Sequence, residues 1–192
     1  LVICTKSNMK FLTTFWAAIL GGIIPVPLAV GISNEHRNKI LKIITSLKNP
    51  NLVTDAKVKE RLKIFIDTDE PNFDNKYIID NAIIDYSHTA KGDLFPAKVD
   101  DIAFVQYSSG STSDPKGVVL THQNLTSNIY AIGEGLNLQI DDVGLSWMPL
   151  THDMGLIGTH MTLFSAGLEH HIMDTDLFIR RPLLWLTKTN EY

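Results

Sequence analysis

The sequence predicts an α/β fold, a mainly parallel sheet layered with flanking helices. Two observations carry this. Short apolar runs of strand length alternate with segments whose apolar residues recur at helical spacing, the order that builds parallel sheets through helical crossovers. Capping residues and glycine stops separate the two kinds of segment. The 192 residues, 44% of them hydrophobic, suffice for one sizeable core.

Leu1 to Thr5 reads as a buried strand. Ser7 is placed to cap a helix to about Leu20, which Gly21-Gly22 stops. Ile24 to Ala29 is the next strand. Asn34 is the expected cap of a helix to about Leu47, whose Ile40, Ile43, Ile44 and Leu47 share one face. A strand at Asn51–Thr54, a short helix at Asp55–Leu62 and a strand at Ile64–Asp67 follow. The pattern weakens from Asp69 to Pro96, apart from a candidate strand at Tyr77–Asp80. A seam between two sub-structures falls, if anywhere, near 69–100. Regularity returns with a strand at Ile102–Tyr107, apolar Val118–Leu120 and a helix capped by Thr121 running to about Gly135. A strand at Val143–Trp147, a helix over Leu156–Ala166, a strand at Glu169–Met173 and a helix at Arg180–Lys188 complete the reading.

Composition excludes several functions. The formal charge is -4 and the basic residues are scattered, which gives no electrostatic footprint for nucleic acid. Phe11 to Ile32 is 22 residues without a charge, but Gly21, Gly22, Pro25 and Pro27 interrupt it, so no membrane span is expected. The single cysteine, Cys4, sits in an apolar run and reads as packing. It allows no internal disulfide and fits a reducing, cytoplasmic compartment. No Gly-x-Ser-x-Gly elbow is present, against a serine hydrolase. His170-His171 does not suggest a metal, because adjacent strand residues face opposite ways and no partner completes a ligand set. His36, His88, His122 and His160, and Trp16, Trp147 and Trp185, read as surface or packing residues.

One segment carries chemistry. Tyr107-Ser108-Ser109-Gly110-Ser111-Thr112-Ser113-Asp114-Pro115-Lys116-Gly117 follows a strand directly and sets five hydroxyls around Gly110. Small residues let the backbone approach an anion, and its N–H groups and hydroxyls can then bond several phosphate oxygens. Lys116 adds a full positive charge. The loop differs from the P-loop of NTPases, in which Gly precedes the Lys and Ser or Thr follows it; Pro115 and Gly117 hold those places here.

With the following valine this segment resembles the signature loop of the adenylate-forming superfamily, with Ser113 where the usual loop has Gly. Two further segments strengthen the resemblance and keep family order. Ser146-Trp147-Met148-Pro149-Leu150-Thr151-His152-Asp153-Met154-Gly155-Leu156-Ile157-Gly158 is similar to a stretch of fatty acyl-AMP ligases. Phe15 to Leu28 is similar to their early helix-to-strand segment. The likeness is nearest to acyl-adenylating loading domains of hybrid polyketide–nonribosomal peptide synthetases.

The resemblance implies that residues 1–192 are a partial adenylation domain, an incomplete part of the large N-terminal subdomain. It implies ATP and Mg2+ as cofactors, bound by Ser108, Ser109, Gly110, Ser111, Thr112, Ser113, Lys116 and Gly117, with Ser108 near the metal through the phosphates. His152 would lie by the acyl carboxylate and the forming adenylate, and with Lys116 would be catalytic; Asp153 reads as a loop anchor. The implied reaction turns a fatty or other carboxylic acid into an acyl-adenylate with release of pyrophosphate. The acyl group then passes to a carrier-protein phosphopantetheine thiol or to coenzyme A. An acyl-CoA synthetase, an amino-acid adenylation domain and a non-catalytic nucleotide-binding or structural fragment remain open alternatives, and the fragment alone is expected to be inactive.

Overall fold

The computed structural model describes residues 1–31, 33–47, 50–69, 78–80, 91–108 and 115–191. The chain divides into two compact units, Leu1–Leu120 and Thr121–Tyr192.

The first unit is built on four short strands: β1 (Val2–Cys4), β2 (Val26–Pro27), β3 (Leu52–Thr54) and β4 (Ile78–Asp80), in the order β2-β1-β3-β4. Each pairing is parallel, with Val2 opposite both Val26 and Leu52, and Leu52 opposite Ile78. Helices α1 (Asn8–Leu20), α2 (Asn34–Ser46) and α3 (Ala56–Asp69) make the crossovers. A parallel sheet flanked by helices buries both faces, so its strands read as continuous apolar runs. Val2, Cys4 and Leu52 enter one cluster with Ile40, Leu41, Ile43 and Ile44 of α2 and Leu62 of α3. Helix α1 lies against β1 with Phe11, Phe15 and Ala18 buried. Phe15 meets Phe104 edge-on at 5.5 Å. Strands β5 (Ile102–Ser108) and β6 (Lys116–Thr121) form a separate two-stranded sheet.

The second unit holds α4 (His122–Leu136), β7 (Val143–Ser146), a π-helical stretch at Met154–Met161, α5 (Thr162–Ser165), β8 (Glu169–Ile172), α6 (Thr175–Arg180) and α7 (Leu183–Thr189). Strands β7 and β8 are parallel, with Val143 opposite Glu169. Thr121 caps α4 in a reciprocal box with Asn124.

The α/β class and parallel pairing are as expected; four details differ. Ile64–Asp67 is not a strand but the last part of α3, because no Gly or Pro interrupts the run from Ala56. Ser33, not Asn34, caps α2 by accepting from the His36 N–H at 3.2 Å. The helix expected over Arg180–Lys188 is two helices, since Pro182 supplies no N–H and instead precedes α7. Leu156–Ala166 is π-helical before it becomes α-helical. There the Thr159 and Thr162 hydroxyls donate to carbonyls five residues back, on Met154 and Ile157, both at 2.9 Å. Among the described residues no helix is long and apolar enough to cross a membrane.

Candidate functional site

The hydroxyl-rich loop connects β5 to β6. Ser108 ends β5, and Ser109, Gly110, Ser111, Thr112 and Ser113 lie outside the described residues. The strand at the exit of the loop is described. Lys116 is the first residue of β6 and is exposed. At Gly117 an added Cβ would stand 3.1 Å from both the Tyr107 ring and Val105 Cγ1. That contact is tight, so a side chain here would push on the neighbouring strand. Tyr107 is held at the same end of its ring by a 3.3 Å hydrogen bond between its hydroxyl and Ser46 at the end of α2. The base of the loop is thus tied to the core of the first unit through β5, while Lys116 stays exposed at its exit.

In the second unit, the turn between β7 and the π-helical stretch carries His152. The Ser146 hydroxyl accepts from the Met148 N–H at 3.1 Å, which starts the turn. The His152 N–H donates to the Pro149 carbonyl at 3.0 Å, and Leu150 is buried beneath. Gly155 packs so closely that a Cβ would stand 2.2 Å from the Pro149 carbonyl oxygen. The His152 side chain is 60% exposed, and its Nδ1 lies 2.7 Å from Asp153 Oδ1. Asp153 also accepts from the Met154 N–H at 2.8 Å, so it does anchor the turn. Trp147 stacks on Phe178 at 3.9 Å, and the Trp185 indole donates to the Leu145 carbonyl at 3.1 Å. Lys116 and His152 belong to different units, and each is placed within its own.

His160, His170 and His171 form a cluster in the second unit. His160 is buried, lies against Phe164, and its Nδ1 is 3.4 Å from that of His170. Burial, with the neighbouring His170 ring, pushes the His160 imidazole down to about 4. Burial and then His171 lower His170. His171 Nε2 lies 2.8 Å from Glu169 Oε1. Among the described residues no three metal-binding side chains converge.

A family model described as AMP-binding enzyme matches residues 1–192. The chain belongs to that family. As an AMP-binding enzyme chain it is 32% identical, over 189 residues, to a long-chain-fatty-acid–AMP ligase of Mycolicibacterium smegmatis, covering 96% of this chain and 29% of that protein. It is 44% identical over 96 residues to a medium-chain-fatty-acid–[acyl-carrier-protein] ligase of Teredinibacter turnerae, covering 50% of this chain and 15% of the relative. Its fold matches the fatty acid AMP ligase of Legionella pneumophila with a TM-score of 0.84 and 28% identity, covering all of this chain and 32% of that one. It also matches the McyG A-PCP structure with bound phenylalanyl-adenylate, with a TM-score of 0.87 and 27% identity over 97% of this chain and 30% of that one. The AMP-binding chain therefore spans about a third, or less, of the length of these relatives.

Proposed function

We propose that this chain belongs to an enzyme that activates a carboxylic acid, foremost a fatty acid, with ATP. A carboxylate oxygen attacks the α-phosphorus, the bond to the β-phosphate oxygen breaks, and acyl-adenylate and pyrophosphate result. The acyl group then passes to the phosphopantetheine thiol of a carrier protein. The observation that carries this reading is Lys116, exposed at the exit of a loop of hydroxyls and glycine in a chain that matches the AMP-binding family throughout.

The residues fit a triphosphate. Lys116 offers a compact cation, Gly117 leaves the adjoining backbone bare, and the run Ser108 to Ser113 supplies donors. Magnesium, when bound, would neutralise phosphate oxygens and ease departure of pyrophosphate, and Ser108 is the residue that would help hold it, through the phosphates. Lys116 would hold the β- and γ-phosphates, and His152 would orient the acyl carboxylate or steady charge on the α-phosphate. Catalysis of this kind is chiefly positioning and charge neutralisation. The fatty acid and the carrier thiol are supported by relatives named as fatty-acid–AMP and acyl-carrier-protein ligases. A cytoplasmic location fits the single reduced, buried Cys4.

Pyrophosphate exchange in the intact enzyme, with dodecanoate as the acid, tests the reading. Lys116→Ala should lower exchange about a hundredfold, since one such donor is worth on the order of 3 kcal/mol in the transition state. Lys116→Arg should restore part of it, because a planar fork replaces an ammonium poorly. Wild-type exchange in a well-folded Lys116→Ala enzyme would end the claim. Supplying a phosphopantetheinylated carrier protein or coenzyme A to the preformed adenylate then identifies the acceptor.

A further inference from the structure

The π-helical stretch differs from the other helices in the partners its threonines choose. Thr13 in α1, Thr45 in α2, Thr126 in α4 and Thr187 in α7 each donate to the carbonyl four residues back, as a hydroxyl on an α-helix does. Thr159 and Thr162 instead reach five residues back, to the Met154 and Ile157 carbonyls, both at 2.9 Å. The Thr162 backbone N–H donates to the same Ile157 carbonyl. Burial follows the wider spacing. Gly155 and His160 are both buried, as are Leu156 and Met161, and each pair is five residues apart. Each bonded turn of such a stretch closes over one residue more than an α-helical turn. A return to α-helical bonding would therefore carry the residues before the stretch out of register with those after it.

Both ends of the stretch are held. Downstream, His160 Nδ1 lies 3.4 Å from Nδ1 of His170 on β8. Leu163 of α5 packs so closely on β7 that a Cβ at Gly144 would stand 2.1 Å from it. Upstream, the Leu156 N–H donates to the His152 carbonyl at 2.9 Å. The backbone of His152 is thus bonded to the first turn of the stretch, and its place relative to β7 and β8 depends on how many residues the stretch takes up. We propose that Thr159 and Thr162 are positioning residues, whose hydroxyls hold the wide register and so set where His152 stands. This rests on the proposed role of His152 beside the acyl-adenylate. The two threonines act through the backbone and not on substrate. π-Helical bonding is rare, and where it persists it frequently marks a functional site. Here the downstream end is pinned against β7 and β8, so loss of the hydroxyl bonds displaces the upstream end, which carries His152.

The test combines histidine NMR with pyrophosphate-exchange kinetics in the intact enzyme, with dodecanoate as the acid. Thr159→Val with Thr162→Val removes both donors and keeps the branched shape of each side chain. The pair should move the ring signals of His152 and lower kcat about tenfold, as a small misplacement of a reacting group does. KM for ATP should not change, because Lys116 belongs to the other unit. Thr159→Ser with Thr162→Ser keeps both donors and should restore most of the rate. Adding the valine pair to His152→Ala should change nothing further, because the hydroxyls act through His152. Thr162 is buried, so if the pair does not fold, Thr159→Val alone should show the same pattern in smaller degree. The proposal is overturned if folded valine variants keep wild-type His152 signals or wild-type kcat. It is also overturned if the serine pair is as slow as the valine pair, or if the valine pair slows the His152→Ala enzyme further. A normal rate for His152→Ala, with His152 signals that still move in the valine pair, would instead place the failure in the site role of His152.

Discussion

At the scale of single residues, burial decides which titratable groups serve structure. His160 is buried against Phe164 and beside His170, and its proton affinity is depressed accordingly. An ordinary histidine in the unfolded chain titrates near pH 6.5. Below that value the unfolded chain takes up a proton that folded His160 refuses until about pH 4. Stability from this group is therefore complete above pH 6.5 and falls as pH drops toward 4. Allowing for solvent screening, the loss is on the order of 2 kcal/mol. Thermal melts across this window should show it, and His160→Leu should flatten the slope. An unchanged slope in that variant would assign the acid sensitivity elsewhere. The sequence could place His160 as a packing residue but not join it to His170, because nothing in their spacing shows that the π-helical stretch and β8 meet. The pairing of His152 with Asp153 was equally hidden. Neighbouring residues on a regular helix do not face each other, and here they meet only because His152 precedes the helix.

At the scale of elements, local chemistry was legible where it is self-contained. The Ser7 and Thr121 caps and the α2 face of Ile40, Ile43 and Ile44 could be read directly, because each depends on neighbours within a turn. The strand expected at Ile64–Asp67 failed because a short apolar run fits either period until the element around it is known. The π-helical stretch was beyond reach, since neither the threonine hydroxyls that bond carbonyls five residues back nor the close packing of the preceding turn leaves a mark in residue spacing. Gly155 is the residue that permits that close packing. A Cβ there meets only backbone, at 2.2 Å from the Pro149 oxygen and 2.9 Å from the Met148 oxygen, so no side chain can swing aside. Gly155→Ala should cost about 2 kcal/mol and shift the turn that carries His152. Exchange activity should then fall more than the affinity for ATP. A variant with normal melting and normal exchange would show that the turn does not need this close approach.

At the scale of the molecule, the first unit is organised around β1. Cys4 is fully buried there, and its thiol is pushed up to about 12 by burial and then by the charge of Asp55. A thiol that is neither accessible nor ionised does not react. A maleimide should leave the native protein unlabelled and modify Cys4 only as the sheet opens, so the labelling rate should follow unfolding of this unit. Rapid labelling without unfolding would contradict the packing described. The α/β class was legible because alternation of strand and helix persists through this unit, whereas strand order was not. The order β2-β1-β3-β4 places β1 between two later strands, and pairing over such distances leaves no local mark in the sequence.

That strand order sets a timetable for biosynthesis. Strand β1 leaves the ribosome before either neighbour exists, and the bond that the Thr54 hydroxyl donates to the Cys4 carbonyl spans 50 residues. Translation at about 5–20 residues per second leaves β1 unpaired on that side for several seconds. During that interval Val2, Ile3 and Cys4 are an open apolar edge. That edge of the nascent chain is thus open to aggregation until β3 emerges, and slowing of synthesis between α2 and β3 should reduce the yield of folded protein.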